Sequence, residues 1–201
     1  MNRPRLLIAT RNRGKIAEIR EFLSGLPVQV IGLEDLEIKV PECEEKGSSF
    51  EENSRSKAEY WCCHTGLATL ADDSGLCVDA LDGAPGIYSA RFAGSGADDR
   101  KNIERLLKLL EGVGEGRRGA SFQCSLTLCC PGKPPVTFQG SCLGLILKEP
   151  SGASGFGYDP VFYYPPLERS FAQLTPGEKN RVSHRAMAFQ KLRSWLIENP
   201  L

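Results

Sequence analysis

The side chains of this 201-residue chain that are best suited to chemistry fall in five short segments. The first is Asp72-Asp73-Ser74-Gly75, which follows the apolar run Leu67 to Ala71. Two carboxylates and a hydroxyl at a strand end offer the oxygen ligands that a hard cation such as magnesium takes. A carboxylate there can also orient or deprotonate a metal-bound water. The same residues suit a β-turn in which Asp and Ser bond to nearby backbone, and the sequence alone leaves both readings open. The second segment is Glu42, Glu44 and Glu45. It reads as a solvated charge run or, should its loop fold over the Asp72-Asp73 strand end, as the source of a second metal ligand.

The third segment, Thr10-Arg11-Asn12-Arg13-Gly14-Lys15, lies between an apolar strand and an amphipathic helix. Unpaired backbone N–H groups and the positive dipole end of a helix suit a phosphate, and Lys15 and the arginines add charge at the same end. A solvated turn with surface cations is the competing reading. The segment is neither a GxxxxGK[ST] loop nor a GxGxxG fingerprint. In Gly155-Phe156-Gly157-Tyr158-Asp159-Pro160, the glycines permit close backbone approach to a ligand, and Phe156 or Tyr158 can stack on a base. A tight turn anchored by aromatic packing fits equally. The fifth segment sets Lys179 close to Ser183-His184-Arg185, near a helix start. Charged donors there can read keto oxygens on a base, although His184 by itself fits an ordinary polar residue at a helix N-terminus.

Alternating strands and helices position these segments. Arg5 to Ala9 reads as a buried strand, followed by a helix with Ile16, Ile19, Leu23 and Leu26 on one face. Ser49-x-x-Glu52 resembles a capping box opening a helix to about His64, with Gly66 as its stop. Leu67 to Ala71 is a strand, Leu76 to Val78 continues the extended path, and Asp98 to Leu110 is helical. Ser121 to Leu128 alternates as a strand, and Val136 to Leu147 supplies one or two more. Thr175-Pro176-Gly177-Glu178 opens the last helical region, whose core face is Ala186, Phe189, Leu192 and Leu196. This order predicts an α/β class, with no repeat and no linker between independent domains.

Lys and Arg total 25, as do Asp and Glu, so no global field draws the chain to nucleic acid or an anionic membrane. The apolar run after Met1-Asn2-Arg3-Pro4-Arg5 is too short for a signal-peptide core or a membrane span, which predicts a cytoplasmic protein. The eight cysteines form no CxxC pair and read mainly as small apolar fillers.

Taken together and in order, the motifs resemble one family. They run from Ile8-Ala9-Thr10-Arg11-Asn12-Arg13-Gly14-Lys15 through Glu44-Glu45-Lys46-Gly47 and Phe50-Glu51-Glu52-Asn53 to Ala71-Asp72-Asp73-Ser74-Gly75-Leu76. Gly83-Ala84-Pro85-Gly86-Ile87-Tyr88-Ser89-Ala90-Arg91, Gly155 to Pro160 and Ser183-His184-Arg185 complete the set. The chain resembles the Ham1/RdgB-type non-canonical purine nucleoside triphosphate pyrophosphatases, also called inosine triphosphate pyrophosphatases. The resemblance implies one domain over residues 1–201, an elongated α/β fold of two lobes around a cleft with a mixed, strongly twisted sheet. It implies a homodimer and magnesium-dependent hydrolysis of ITP, dITP and XTP to monophosphate and pyrophosphate.

By the same resemblance, Thr10, Arg11, Asn12, Arg13, Gly14 and Lys15 would hold the triphosphate. Asp73 would be general base and Mg2+ ligand, with Glu44 the second ligand and its neighbour Glu45 the alternative. Ser74 would touch substrate. Phe156, Gly157, Tyr158, Asp159, Lys179, His184 and Arg185 would form the base pocket, and Lys57 and Arg91 are candidates for phosphate or sugar contacts. Two other functions compete: a Maf-type pyrophosphatase of pyrimidine or modified nucleotides, and a nucleotide-binding regulator without turnover.

Overall fold

The computed structural model describes residues 3–36, 41 and 43–201. Seven strands form a sheet in the order β2-β1-β3-β4-β5-β6-β7. They are β1 (Arg5–Ile8), β2 (Gln29–Gly32), β3 (Ala68–Val78), β4 (Gly119–Cys129), β5 (Val136–Ile146), β6 (Phe162–Tyr164) and β7 (Arg169–Ser170). β1 pairs parallel with β2 and β3, whereas β5–β6 and β6–β7 are antiparallel, so the sheet is mixed. The helices are α1 (Arg13–Phe22), α2 (Phe50–Thr65), α3 (Asp99–Leu109), α4 (Pro176–Val182) and α5 (His184–Glu198). The α/β class expected from the alternating pattern is the one observed.

The chain divides into two compact units. The first comprises Met1–Asp73, Cys124–Gly140 and Met187–Leu201, and the second Ser74–Gln123 and Ser141–Ala186. In the first unit, alternation along β1 sends successive side chains to opposite faces. Leu6 and Ile8 join a core with Ile19 of α1, Leu70, Cys124, Leu126, and Phe189 and Leu192 of α5. Leu7 and Ala9 join another core with Ala58, Trp61 and Cys62 of α2, Ala71 and Cys129. Past the exposed Arg5, the run Leu6 to Ala9 is apolar without interruption because both faces of the strand are covered there. The second unit has its own core, built from Leu76 and Val78 of β3, Ile103 and Leu106 of α3, Phe122, Phe162 and Phe171.

Helix limits follow local chemistry. The Ser49 side chain accepts from the Glu52 N–H (3.1 Å) at the start of α2. Gly66 ends that helix at φ 66°, a left-handed position where a side chain would be strained. Thr175 caps α4, with Pro176 in its first turn and Glu178 completing a capping box. The Arg169 guanidinium, together with the Thr175 bonds, holds the Glu178 carboxyl down to about 2. Ser183 turns to extended backbone (ψ 158°) and divides the last helical region into α4 and α5, with His184 at the start of α5. Leu23 and Leu26, expected on α1, lie just beyond its end but are buried in the same core.

Candidate active site

Asp72-Asp73-Ser74-Gly75 lies inside an 11-residue strand, neither at a strand end nor in a β-turn. β3 runs on as extended strand past Leu70, where its pairing with β1 ends, with β4 as its neighbour on the other side, so these residues stay extended where local bonding would favour a turn. Extended backbone sends the two carboxylates to opposite faces. Asp72 faces the α1 side, ion-paired with Lys15 and accepting the Cys124 S–H (3.2 Å). Asp73 faces α2 and accepts from Asn53 Nδ2 (3.0 Å). Both are nearly inaccessible, Asp72 at 1% and Asp73 at 7%.

Around Asp73, the Lys57 ammonium donates to the Asp72 carbonyl (3.2 Å) and pairs with Glu45. Asn53 and Lys57 share a face of α2 because they are four residues apart. Burial pushes the Asp73 carboxyl up to about 6; Glu45 adds to this, while Lys15, Lys57 and the Asn53 bond oppose it. Residues 10–15 form the turn into α1. Asn12 caps the helix through Lys15 N–H (3.0 Å), and its own N–H donates to Thr10 Oγ1 (3.2 Å). Arg11 and Arg13 are exposed and, with Ile16, Leu33 and Glu34, line a cavity of about 460 Å3.

The second unit gathers the remaining candidates. Arg185 Nη2 donates to Ser74 Oγ (2.9 Å). The Phe156 ring lies under two cations, Lys179 Nζ at 4.6 Å and Arg185 Cζ at 5.2 Å from its centroid. Lys179 is buried and ion-paired with Asp159 Oδ2 (2.6 Å), the same oxygen that accepts the Phe156 N–H (2.9 Å). Gly157 N–H donates to Asp99 Oδ2 (2.6 Å). Tyr158 is buried, with its hydroxyl on the Ser89 carbonyl (2.9 Å), and burial raises its pKa. His184 is buried and stacks on Phe122 (4.7 Å, 12°).

A family model described as the Ham1 family matches residues 6–195. The chain belongs to the Ham1 family. A protein named dITP/XTP pyrophosphatase from Geobacter sulfurreducens is 48% identical over 192 residues, 96% of each chain. One of the same name from Bacillus licheniformis is 47% identical, covering 95% of this chain and 97% of that one. A solved HAM1 protein from Coxiella burnetii matches with TM-score 0.88 at 41% identity, covering 97% of this chain and 99% of that one.

Within this Ham1 chain, the structure brings Asp73, Lys15, Lys57, Asn53 and Glu45 into one electrostatic group. It places the Glu44 carboxylate on Lys46 (2.5 Å), largely exposed. Glu42 lies outside the described residues. Of the two aromatics proposed for stacking, Tyr158 is an internal anchor and Phe156 is the half-exposed one. Asn53 entered the sequence reading only as part of a motif, without a role. Its i,i+4 relation to Lys57 was the signal that could have found it. Cys124 and Asp99 carried no local signal.

Proposed function

We propose that this protein hydrolyses deaminated purine nucleoside triphosphates, ITP, dITP and XTP, to the monophosphate and pyrophosphate, with Mg2+ as cofactor. The observation that carries the reading is Asp73, a buried carboxylate pushed up to about 6 among Lys15, Lys57 and Asn53. A buried carboxylate set among these donors is placed to take a proton from water, and its costly ionisation favours a cation beside it. The names of the relatives, dITP/XTP pyrophosphatase, supply the substrate class.

The donor set fits magnesium. Among the described residues no three His, Cys, Asp or Glu side chains gather as a metal cage. Mg2+ is commonly bound by one or two carboxylates, with waters and phosphate oxygens completing its shell. Asp73 and Glu45 supply two such carboxylates, and the unfavourable ionisation of Asp73 is what a cation would relieve. When bound, the ion supplies Lewis-acid neutralisation of phosphate charge.

The chain's own residues do the rest. Asp73 takes the proton of a water whose oxygen attacks the α-phosphorus. The bond from that phosphorus to the bridging oxygen breaks, and pyrophosphate leaves with the bonding pair. Lys15, Lys57 and the N–H groups at the start of α1 neutralise charge on the departing group. Lys179 and Arg185 serve the base. Both present only donors, which suits a 6-keto oxygen and opposes the 6-amino group of adenine. Phe156 offers a ring face, and Ser74, Asp159 and His184 belong to the same pocket in this reading. The assembly proposed is a homodimer in the cytoplasm. No helix among the described residues is long and apolar enough to cross a membrane.

Pyrophosphate release from ITP, dITP, XTP, ATP, GTP and dTTP, with and without Mg2+, tests the reading. Turnover should be far faster with ITP and XTP than with ATP, require the metal and vanish in Asp73→Asn. A dTTP preference would point to Maf-type chemistry, and ITP binding without release would leave a regulator.

A further inference from the structure

We propose that Asp72 is a positioning residue for Lys15, with Cys124 as its second donor, and that it serves neither as base nor as metal ligand. The inference rests on the reading above in which Lys15 holds substrate phosphate. Strand alternation separates Asp72 from Asp73. Asp72 lies on the α1 face, 1% exposed, with its carboxylate on the Lys15 ammonium and under the Cys124 S–H (3.2 Å). Asp73 shares the other face with Asn53 and with the Lys57–Glu45 pair.

A lysine at the first turn of a helix has a flexible four-carbon stem and three donors. Fixing one donor on a buried carboxylate removes most of that freedom before phosphate arrives. Preorganisation of this kind strengthens binding by lowering the ordering cost. The side chain of Lys15 stays 14% exposed while that of Asp72 is wholly covered, so the pair keeps an accessible end. Cys124 on β4 satisfies the second carboxylate oxygen, Oδ2, where no ammonium is needed. A buried carboxylate with two donors is held in one orientation, and the ammonium with it.

The test is binding of inorganic pyrophosphate by calorimetry at fixed Mg2+, on the full chain. Lys15→Met should weaken binding about tenfold to a hundredfold, the range of one lost charge-assisted hydrogen bond. Asp72→Asn should lose a substantial part of that factor. The double variant should bind no more weakly than Lys15→Met, because Asp72 acts only through Lys15. The half-saturating Mg2+ concentration for turnover should be the same in Asp72→Asn as in wild type. Unchanged pyrophosphate binding in Asp72→Asn, full additivity in the double variant, or a raised Mg2+ requirement would each overturn the inference. If Lys15→Met binds pyrophosphate as tightly as wild type, the phosphate reading of Lys15 falls first. Should Asp72→Asn fail to fold, Cys124 decides: Cys124→Ala should weaken binding and Cys124→Ser, which keeps a donor, should restore it. Equal binding by these two variants would refute the role.

Discussion

Replacing Asp73 by Asn should abolish turnover and yet stabilise the metal-free protein at neutral pH. Burial lifts the Asp73 carboxyl from 3.8 to about 6, so ionising it costs more in the folded chain than in the unfolded one. That gap of roughly two pH units amounts to about 3 kcal/mol. The sign follows from linkage. A carboxyl with a raised folded pKa contributes stability that is complete below its unfolded pKa and is lost as pH rises through about 6. Asparagine carries no charge at any pH, and its Oδ1 can still accept the Asn53 bond. The gain from Asp73→Asn should therefore approach ~3 kcal/mol near pH 7.5, shrink to ~1 kcal/mol near pH 4.5 and vanish below about pH 3.5. Urea denaturation in excess chelator measures it. With a slope of about 1–3 kcal/mol per molar, the midpoint should move up by about 1 M or more at the higher pH. Trp61 and Trp195, the two tryptophans of the chain, both belong to the unit that carries Asp73, so their fluorescence follows the relevant transition. Added Mg2+ should stabilise wild type and leave Asp73→Asn unmoved, because binding to the folded state alone raises stability. A variant less stable than wild type near pH 7.5, or a gain that does not change with pH, would refute the argument.

Glu45→Gln should raise the half-saturating Mg2+ concentration about tenfold or more, whereas Glu44→Gln should leave it near wild type. Equal effects of the two would place the second carboxylate ligand elsewhere. Lys179→Met leaves the buried Asp159 charge without its ammonium, which should cost about 3–5 kcal/mol by urea denaturation and reduce the preference for ITP over ATP. Tyr158→Phe removes the donor to the Ser89 carbonyl and should cost about 1 kcal/mol, with the pH profile of turnover unchanged. A shifted profile would show that the hydroxyl takes part in the chemistry.

Much of this protein was legible before any coordinates. Ser49 and Gly66 bound α2, and Thr175 with Pro176 opens α4, because capping depends on atoms only a few residues apart. The family likewise followed from motif order along the chain. Local patterns failed where partners are distant in sequence. β6 and β7, of three and two residues, carry too little pattern to register as strands. Ser183 ends α4 by turning to extended backbone, and α5 starts anew at His184.

By itself, then, the sequence determined the chemical inventory: two adjacent carboxylates, a basic turn into a helix, and a glycine-aromatic loop followed by Lys179 and Arg185. The tertiary structure decided where each lies and what it touches. It put Asp72-Asp73 within the extended β3, so that the two adjacent carboxylates meet different partners, Lys15 and Cys124 on one side and Asn53 on the other. It chose Glu45 over Glu44 as the carboxylate acting on Asp73 and made Tyr158 an anchor. The physical reason is separation. Asn53 lies 20 residues from Asp73, and Cys124 lies 52 from Asp72, so only folding brings their dipoles and charges close enough to set a pKa or hold an ammonium.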